Sequence, residues 1–124
     1  MSGNGPLAGL RVLVVEDEWL IAEELSRILA DSGCVVVGPA SRVAEAMALI
    51  ARETFQAALL DANLAGESAA PVADALAAGG TPFAVVTGYD RSQLPAGLMQ
   101  EAPRVRKPFT PAIIARTLVG LVGA

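Results

Sequence analysis

Five residues whose side chains could bind a metal or react stand directly after short runs that are predicted to be strands. They are three carboxylates, a hydroxyl and an ammonium: Glu16, Asp17, Asp61, Thr87 and Lys107. In an open parallel sheet, binding sites form outside the carboxyl ends of the strands, so these side chains are expected to share one pocket. Carboxylates that meet in one pocket repel one another unless a hard cation lies between them, and oxygen ligands of this kind suit Mg²⁺.

The elements that must position these residues alternate between strand and helix patterns. The predicted strands are residues 12–15, 34–37, 57–60, 83–86 and 104–106. Between and after them, apolar residues recur at helical spacing. This alternation predicts an α/β fold, with a parallel sheet and helices on both faces. The fourth helix is expected to be weak or irregular, because Pro95, Gly97 and Pro103 interrupt the segment that would form it.

Length and composition indicate a single domain. The chain has 124 residues, of which 53% are hydrophobic and 18% are charged, and this composition suits parallel strands that are buried on both faces. Residues 1–8 are predicted to be a flexible tail, and residues 9–124 a single domain. No segment approaches the roughly 18 consecutive apolar residues of a membrane span, and residues 1–10 lack the features of a signal peptide. The protein is therefore expected to be cytoplasmic, with no membrane partner.

Scarce residue types and the net charge exclude several classes of function. The chain has no histidine, which excludes Ser-His-Asp and Cys-His catalysis, imidazole metal sites and a phosphohistidine carrier. Its single cysteine, Cys34, cannot form an internal disulfide or a cysteine-rich metal site. The formal net charge of −4 argues against a nucleic-acid partner, since such binding needs a concentrated basic surface.

Four short motifs, each at the end of a predicted strand, carry a resemblance to a known family. They are Val14-Val15-Glu16-Asp17-Glu18, Leu59-Leu60-Asp61-Ala62-Asn63, Thr87-Gly88-Tyr89 and Lys107-Pro108-Phe109. Together and in this order they resemble the receiver domain of bacterial two-component response regulators, over residues 10–122. In addition, Pro82-Phe83 followed after three residues by Thr87-Gly88-Tyr89 resembles a subgroup that is common in alphaproteobacteria. Members of that subgroup often stand alone and are linked to stress signalling.

The resemblance implies a five-stranded, doubly wound, flavodoxin-like sheet in the order 2-1-3-4-5. It implies that Asp61 accepts a phosphoryl group from the phosphohistidine of a histidine kinase. Glu16, Asp17 and Asp61 would hold Mg²⁺, with the backbone carbonyl of Asn63 as a further ligand. Such a domain switches protein–protein interactions, and it is not an enzyme beyond promoting its own phosphotransfer and dephosphorylation.

Other family positions would bind the phosphoryl group. Thr87 would donate its hydroxyl to a phosphoryl oxygen, and Gly88 would leave space for the phosphoryl donor. Lys107 would pair with Asp61 and with the phosphoryl group. The Lys107–Pro108 peptide bond is expected to be cis, because the lysine must turn back into the pocket.

This sequence departs from the family at its conformational switch. Arg104 stands where many receivers have an aromatic residue. Tyr89 is therefore predicted to respond to phosphorylation, together with residues 90–102. The expected partners are a histidine kinase, and a histidine phosphotransferase or another signalling protein, with the chain itself a monomer or a weak dimer.

Elementary chemistry supports the phosphoacceptor interpretation. Phosphoryl transfer depends mainly on positioning and charge neutralisation, so a carboxylate nucleophile, a metal and a cation suffice. A phosphatase of the haloacid-dehalogenase type would have an aspartate where Asn63 stands, and a nucleotide-binding loop would have glycines where Glu16-Asp17-Glu18 stand. A degenerate receiver would lack an acid, the hydroxyl or the lysine, and all are present. A receiver that belongs to a hybrid histidine kinase and a phosphate sink remain open as alternatives.

Overall fold

The computed structural model describes residues 5–88, 93–94 and 97–123. Within these ranges the sheet contains five strands: β1 (Arg11–Val15), β2 (Val35–Ala40), β3 (Ala57–Leu60), β4 (Phe83–Thr87) and β5 (Arg104–Arg106). The helices in the same ranges are α1 (Trp19–Asp31), α2 (Val43–Arg52), α3 (Ala70–Ala78), α4 (Leu98–Glu101) and α5 (Pro111–Val122). None of these helices is long and apolar enough to cross a membrane.

The five strands form a parallel sheet in the order β2-β1-β3-β4-β5. This confirms the predicted doubly wound α/β fold and its strand order. The predicted weakness of the fourth helix is also confirmed, since α4 has only four residues. Gly97 precedes this helix with φ of 122°, a backbone conformation that residues with a side chain rarely adopt.

The register of the sheet brings the carboxyl ends of four strands to one level. Val15, the last residue of β1, pairs with Leu60, the last residue of β3. Leu60 in turn pairs with Val85 of β4. Thr87 ends β4 and pairs with Arg106, which ends β5. The residues that follow these strands therefore meet at one edge of the sheet, as the sequence predicts.

Alternate residues of each strand pack on opposite faces of the sheet. In β1, Leu13 and Val15 lie in a core cluster with residues of α2 and α3. Val12 and Val14 lie in a second cluster with residues of α1 and α5. Because side chains alternate along a strand, a strand that is covered on both faces must be apolar throughout. The sheet is thus the middle layer of three and supports the loops at its edge.

Leu7, which lies in the segment predicted to be a tail, packs against the core. This residue is only 3% exposed and belongs to the cluster that contains Val12 and Val14. Its carbonyl accepts a hydrogen bond from the Cys34 thiol, at 3.7 Å between oxygen and sulfur. Gly9 N also donates to the carbonyl of Gly33 at 2.8 Å. Leu7 is therefore fixed to the core, although its neighbours Gly5, Pro6 and Ala8 are exposed. The predicted flexibility of the tail stays a prediction, and residues 1–4 lie outside the described ranges.

A small hairpin follows β3. Asn63–Leu64 pairs in antiparallel fashion with Glu67–Ser68. The two residues between them both have positive φ, 55° for Ala65 and 87° for Gly66. Two consecutive positive φ values are the mark of the tight hairpin turn that best matches strand twist. Leu64 is 1% exposed and fixes the hairpin to the core.

Candidate functional site

Two buried carboxyl groups lie side by side at the edge of the sheet. Glu16 is 1% exposed and Asp61 is 7% exposed. Their backbones continue the strand pairing: Asp61 N donates to the carbonyl of Val15, and Glu16 N donates to the carbonyl of Ala40, both at 2.9 Å. The sheet itself therefore sets the spacing of these two carboxyl groups.

Lys107 reaches back from the end of β5 to both acids. Its ammonium nitrogen Nζ lies 3.0 Å from Glu16 Oε1, 3.2 Å from Asp61 Oδ2 and 3.7 Å from Glu18 Oε1. The Lys107 backbone N donates to the carbonyl of Thr87 at 3.0 Å, which ties the ends of β4 and β5 together. The Lys107–Pro108 bond is cis, which confirms the prediction.

The electrostatics of this cluster favour a protonated Glu16. Burial raises the pKa of Glu16 from 4.5 to about 8, and the hydrogen bond to Asp61 and the charge of that residue act in the same direction. The Glu18 backbone N–H and Lys107 oppose this rise only in part. Burial also lowers the pKa of Lys107, but contact with Glu16 and the charge of Asp61 outweigh this effect and raise it. Lys107 therefore carries its positive charge throughout the physiological range.

One oxygen of Glu16 indicates that the cluster can take a cation. Among the described residues, Glu16 Oε1 is the buried side-chain oxygen without a well-directed hydrogen bond, and its contact is the ion pair with the Lys107 ammonium at 3.0 Å. That ammonium also donates to Asp61 Oδ2, so a metal ion could add to the interactions of Glu16 Oε1. Ligand oxygens of Glu16, Glu18 and Asp61 lie within 4.8 Å of one another. The donors are hard oxygens, which fit Mg²⁺.

Asp17 contacts the hairpin, and Asn63 of the hairpin contacts both Asp61 and the turn. Asp17 Oδ2 accepts a hydrogen bond from Ala65 N at 3.0 Å. Asn63 N donates to Asp61 Oδ1 at 3.2 Å, and Asn63 Oδ1 accepts from Gly66 N at 2.8 Å. Both residues lie at the same edge of the sheet as Asp61, but their proposed roles as ligands stay predictions.

The predicted phosphoryl-binding residues lie at the end of β4. Thr87 is 1% exposed. A Cβ on Gly88 would meet no atom within 4 Å in the described part of the chain. Within the described residues, no contact requires glycine there, which leaves room for an incoming group. Tyr89 lies outside the described residues, so its predicted switching role stays a prediction.

Trp19 lies beside the acids, as its position two residues after Asp17 suggests. Its side chain is 70% exposed. Together with Glu16 and Asp17 it lines an open cavity of about 430 Å³, whose opposite wall includes Pro39 and Ser41. The indole is therefore close enough to report changes at the acidic site.

Comparison with known families decides what kind of domain this is. Residues 12–118 match the model of the response regulator receiver domain. The chain belongs to the response regulator receiver family. Receiver domains act in two-component signalling, interact with histidine kinases and other signalling proteins, and typically bind Mg²⁺ in an acidic site.

Solved receiver structures resemble the chain over nearly its whole length. SdrG of Sphingomonas melonis is 38% identical with a TM-score of 0.81, over 91% of this chain and 96% of SdrG. PhyR of Brucella abortus is 28% identical with a TM-score of 0.81, over 94% of this chain but only 49% of PhyR, so the chain spans about half of that protein. No curated protein sequence matches the chain.

A third structure shows the same fold with a bound metal. The receiver domain of the sensor histidine kinase PA1611 from Pseudomonas aeruginosa has a magnesium ion in its active-site cleft. It is 22% identical with a TM-score of 0.81, over 94% of this chain and all of that one, which supports a likeness of fold alone.

Two parts of this site are not evident from the sequence pattern. The Glu18 side chain is 63% exposed, as expected of a surface residue, yet one of its carboxylate oxygens lies within 4.8 Å of those of Glu16 and Asp61. The available signal is that Glu18 is the third consecutive acid after β1. The hairpin is hard to predict from the sequence, because Ala65 of its turn is not a residue that usually adopts positive φ. Asn63 and Gly66, which are residues typical of turns, are the available sequence signal.

Proposed function

We propose that Asp61 accepts a phosphoryl group from the phosphohistidine of a histidine kinase, in a Mg²⁺-dependent reaction. The phosphorylated domain then changes its binding to other signalling proteins. The observation that carries this proposal is the environment of Asp61. Its Oδ2 lies 3.2 Å from the Lys107 ammonium, and the carboxyl group is buried beside Glu16, whose Oε1 contacts the same ammonium. This arrangement combines a nucleophile, a fixed cation and a cluster of oxygen ligands.

In the proposed reaction a carboxylate oxygen of Asp61 attacks the phosphorus atom. The new bond is an acyl phosphate P–O bond, and the bond that breaks is the P–N bond of the donor. The imidazole leaves with that electron pair and keeps a proton on its other ring nitrogen. Lys107 offsets the negative charge that now surrounds Asp61, and the Thr87 hydroxyl donates to a phosphoryl oxygen.

The residues that would hold the metal are Glu16, Asp17, Asp61 and the backbone carbonyl of Asn63. When bound, Mg²⁺ would neutralise charge on the phosphoryl oxygens and orient them. Glu18 is a further acid at the same edge of the sheet. We propose no catalysis beyond this: the domain promotes its own phosphotransfer and its own dephosphorylation.

We propose that this chain belongs to the stand-alone alphaproteobacterial subgroup of the family. Its supports are the pattern Pro82-Phe83 followed by Thr87-Gly88-Tyr89 and the similarity to SdrG. A BeF3-activated conformation of SdrG is 37% identical to this chain with a TM-score of 0.79, over 93% of this chain and 98% of SdrG. The proposed partners are a histidine kinase, and a histidine phosphotransferase or another signalling protein, within stress signalling.

Acetyl phosphate and Mg²⁺ provide a direct test of the phosphoacceptor. Intact-protein mass spectrometry should show the gain of one phosphoryl group, which alkaline treatment removes because an acyl phosphate is labile. Asp61→Asn should abolish the gain while leaving the circular dichroism spectrum unchanged. Asp74→Asn is the matched control, because Asp74 is an exposed acid on α3 and should be labelled like the wild type. Full labelling of Asp61→Asn would refute the proposal.

A further inference from the structure

The hairpin after β3 connects the two strand ends that carry the acids. Its first strand and its turn present two backbone N–H groups, two residues apart, to two different carboxylates. Asn63 N donates to Asp61 Oδ1 at 3.2 Å, and Ala65 N donates to Asp17 Oδ2 at 3.0 Å. Asp61 follows β3 and Asp17 follows β1, so these hydrogen bonds tie together carboxylates that lie 44 positions apart in the sequence (61 minus 17).

The Asn63 side chain holds the turn that directs the Ala65 N–H. Ala65 has φ of 55°, a conformation that an alanine rarely adopts. Asn63 Oδ1 accepts a hydrogen bond from Gly66 N at 2.8 Å, across this turn. Leu64 anchors the hairpin from the other side, since it is 1% exposed. Strained backbone persists only where its surroundings hold it in place, and here the Asn63 amide and Asp17 do so.

We propose that the side chain of Asn63 is a positioning residue for the metal site. Through the turn it fixes the Ala65 N–H, and this N–H fixes the orientation of the Asp17 carboxylate. Oδ2 of Asp17 accepts the hydrogen bond from Ala65 N, so the carboxylate would bind a cation through Oδ1. This role rests on the proposed function, and it is separate from the backbone carbonyl of Asn63, which every substitution at this position retains.

The expected effect is a loss of metal affinity without a loss of fold. Groups that orient a metal ligand typically contribute 10- to 100-fold to affinity. Asn63→Ala removes the acceptor for Gly66 N and should weaken Mg²⁺ binding by about 10-fold on this basis. Asn63→Asp keeps an acceptor oxygen at the same position and should restore the wild-type affinity or exceed it, because it adds a negative charge.

Ser68 provides a matched control in the same hairpin. Ser68 Oγ accepts a hydrogen bond from Ala70 N at 3.2 Å, away from the acids. Ser68→Ala therefore removes a comparable side-chain contact without touching the Asp17 arrangement. Two measurements are needed: Mg²⁺ affinity by isothermal titration calorimetry, and hydrogen exchange of the Ala65 amide in metal-free protein by NMR.

Asn63→Ala should bind Mg²⁺ more weakly and exchange the Ala65 amide faster, whereas Ser68→Ala should match the wild type in both measurements. The inference is overturned if Asn63→Ala keeps the wild-type affinity, or if Ser68→Ala loses as much affinity as Asn63→Ala. A wild-type protein that does not bind Mg²⁺ would refute both the proposed function and this inference. The two failures are distinguishable: if only the inference about Asn63 fails, the wild-type protein still binds Mg²⁺.

Discussion

Mg²⁺ affinity should depend steeply on pH, because the metal and a proton compete for Glu16. In the metal-free protein, burial and the neighbouring Asp61 raise the pKa of Glu16 to about 8. Mg²⁺ needs the ionised carboxylate, so the apparent dissociation constant equals the intrinsic value divided by the ionised fraction. With this pKa, about one molecule in eleven is ionised at pH 7, so the affinity there is about 11-fold below its limit at high pH.

The same relation sets the full profile. Affinity should be about twofold below its limit at pH 8 and about 100-fold below it at pH 6, a span of about 50-fold. Calorimetry in two buffers of different ionisation enthalpy should also show nearly one proton released for each Mg²⁺ bound at pH 7. Lys107 does not contribute to this slope, since its pKa is raised further above the range.

Glu16→Gln is the decisive variant for this prediction. It keeps the shape of the side chain but cannot ionise, so it should bind Mg²⁺ weakly with an affinity that no longer changes between pH 6 and 8. The reasoning is refuted if the wild-type affinity is flat over that range. It is equally refuted if Glu16→Gln retains the wild-type slope, since the proton would then belong to another group.

The metal-free protein should lose stability as pH rises from about 5 to 8, because folded Glu16 keeps its proton up to about pH 8 while the unfolded chain releases it near 4.5. The free energy of unfolding, measured with urea in EDTA, should fall by at most about 1.4 kcal/mol per pH unit from this residue; a flat profile contradicts this. Trp19 emission should change when Mg²⁺ or beryllofluoride is added, and Asp17→Asn should abolish the Mg²⁺ response; silence in both titrations would place the indole away from the site. Leu7→Ala should lower the free energy of unfolding by about 2 to 3 kcal/mol, as for other buried leucines. A loss near zero would instead support the predicted flexible tail.

The strands and the edge of the sheet could be predicted because their signals are local. A parallel strand with helices packed on both faces is a continuous apolar run. A polar residue at its end marks the point where the strand leaves the core. Val12 to Val15 followed by Glu16 is such a case, and so is Ala57 to Leu60 followed by Asp61. Once the runs are parallel, their ends must share an edge, so the site follows from the strand pattern and the topology.

The missed features depend on contacts between distant segments. Leu7 stands among glycine, proline and alanine, and nothing nearby shows that it packs with Val12 and Val14. Glu18 is an exposed residue just before α1, and it lies near the other acids only because Lys107 and Asp61 arrive from other strands. Side-chain placement of this kind is decided by tertiary packing, which no local pattern records.

The site is complete only after β5, the last strand of the sheet, has been synthesised. Asp61 and Lys107 lie 46 residues apart in sequence, and β5, which carries the lysine to the edge, is the final strand of the sheet. A ribosome-bound chain that has emerged only as far as β4 carries the nucleophile but not its ammonium partner. Since chains emerge from the amino terminus, such a fragment has an uncovered sheet edge and two buried acids with no cation. Under the proposed function, competence to be phosphorylated should therefore appear only when β5 docks, so an unfinished molecule would not respond to a kinase.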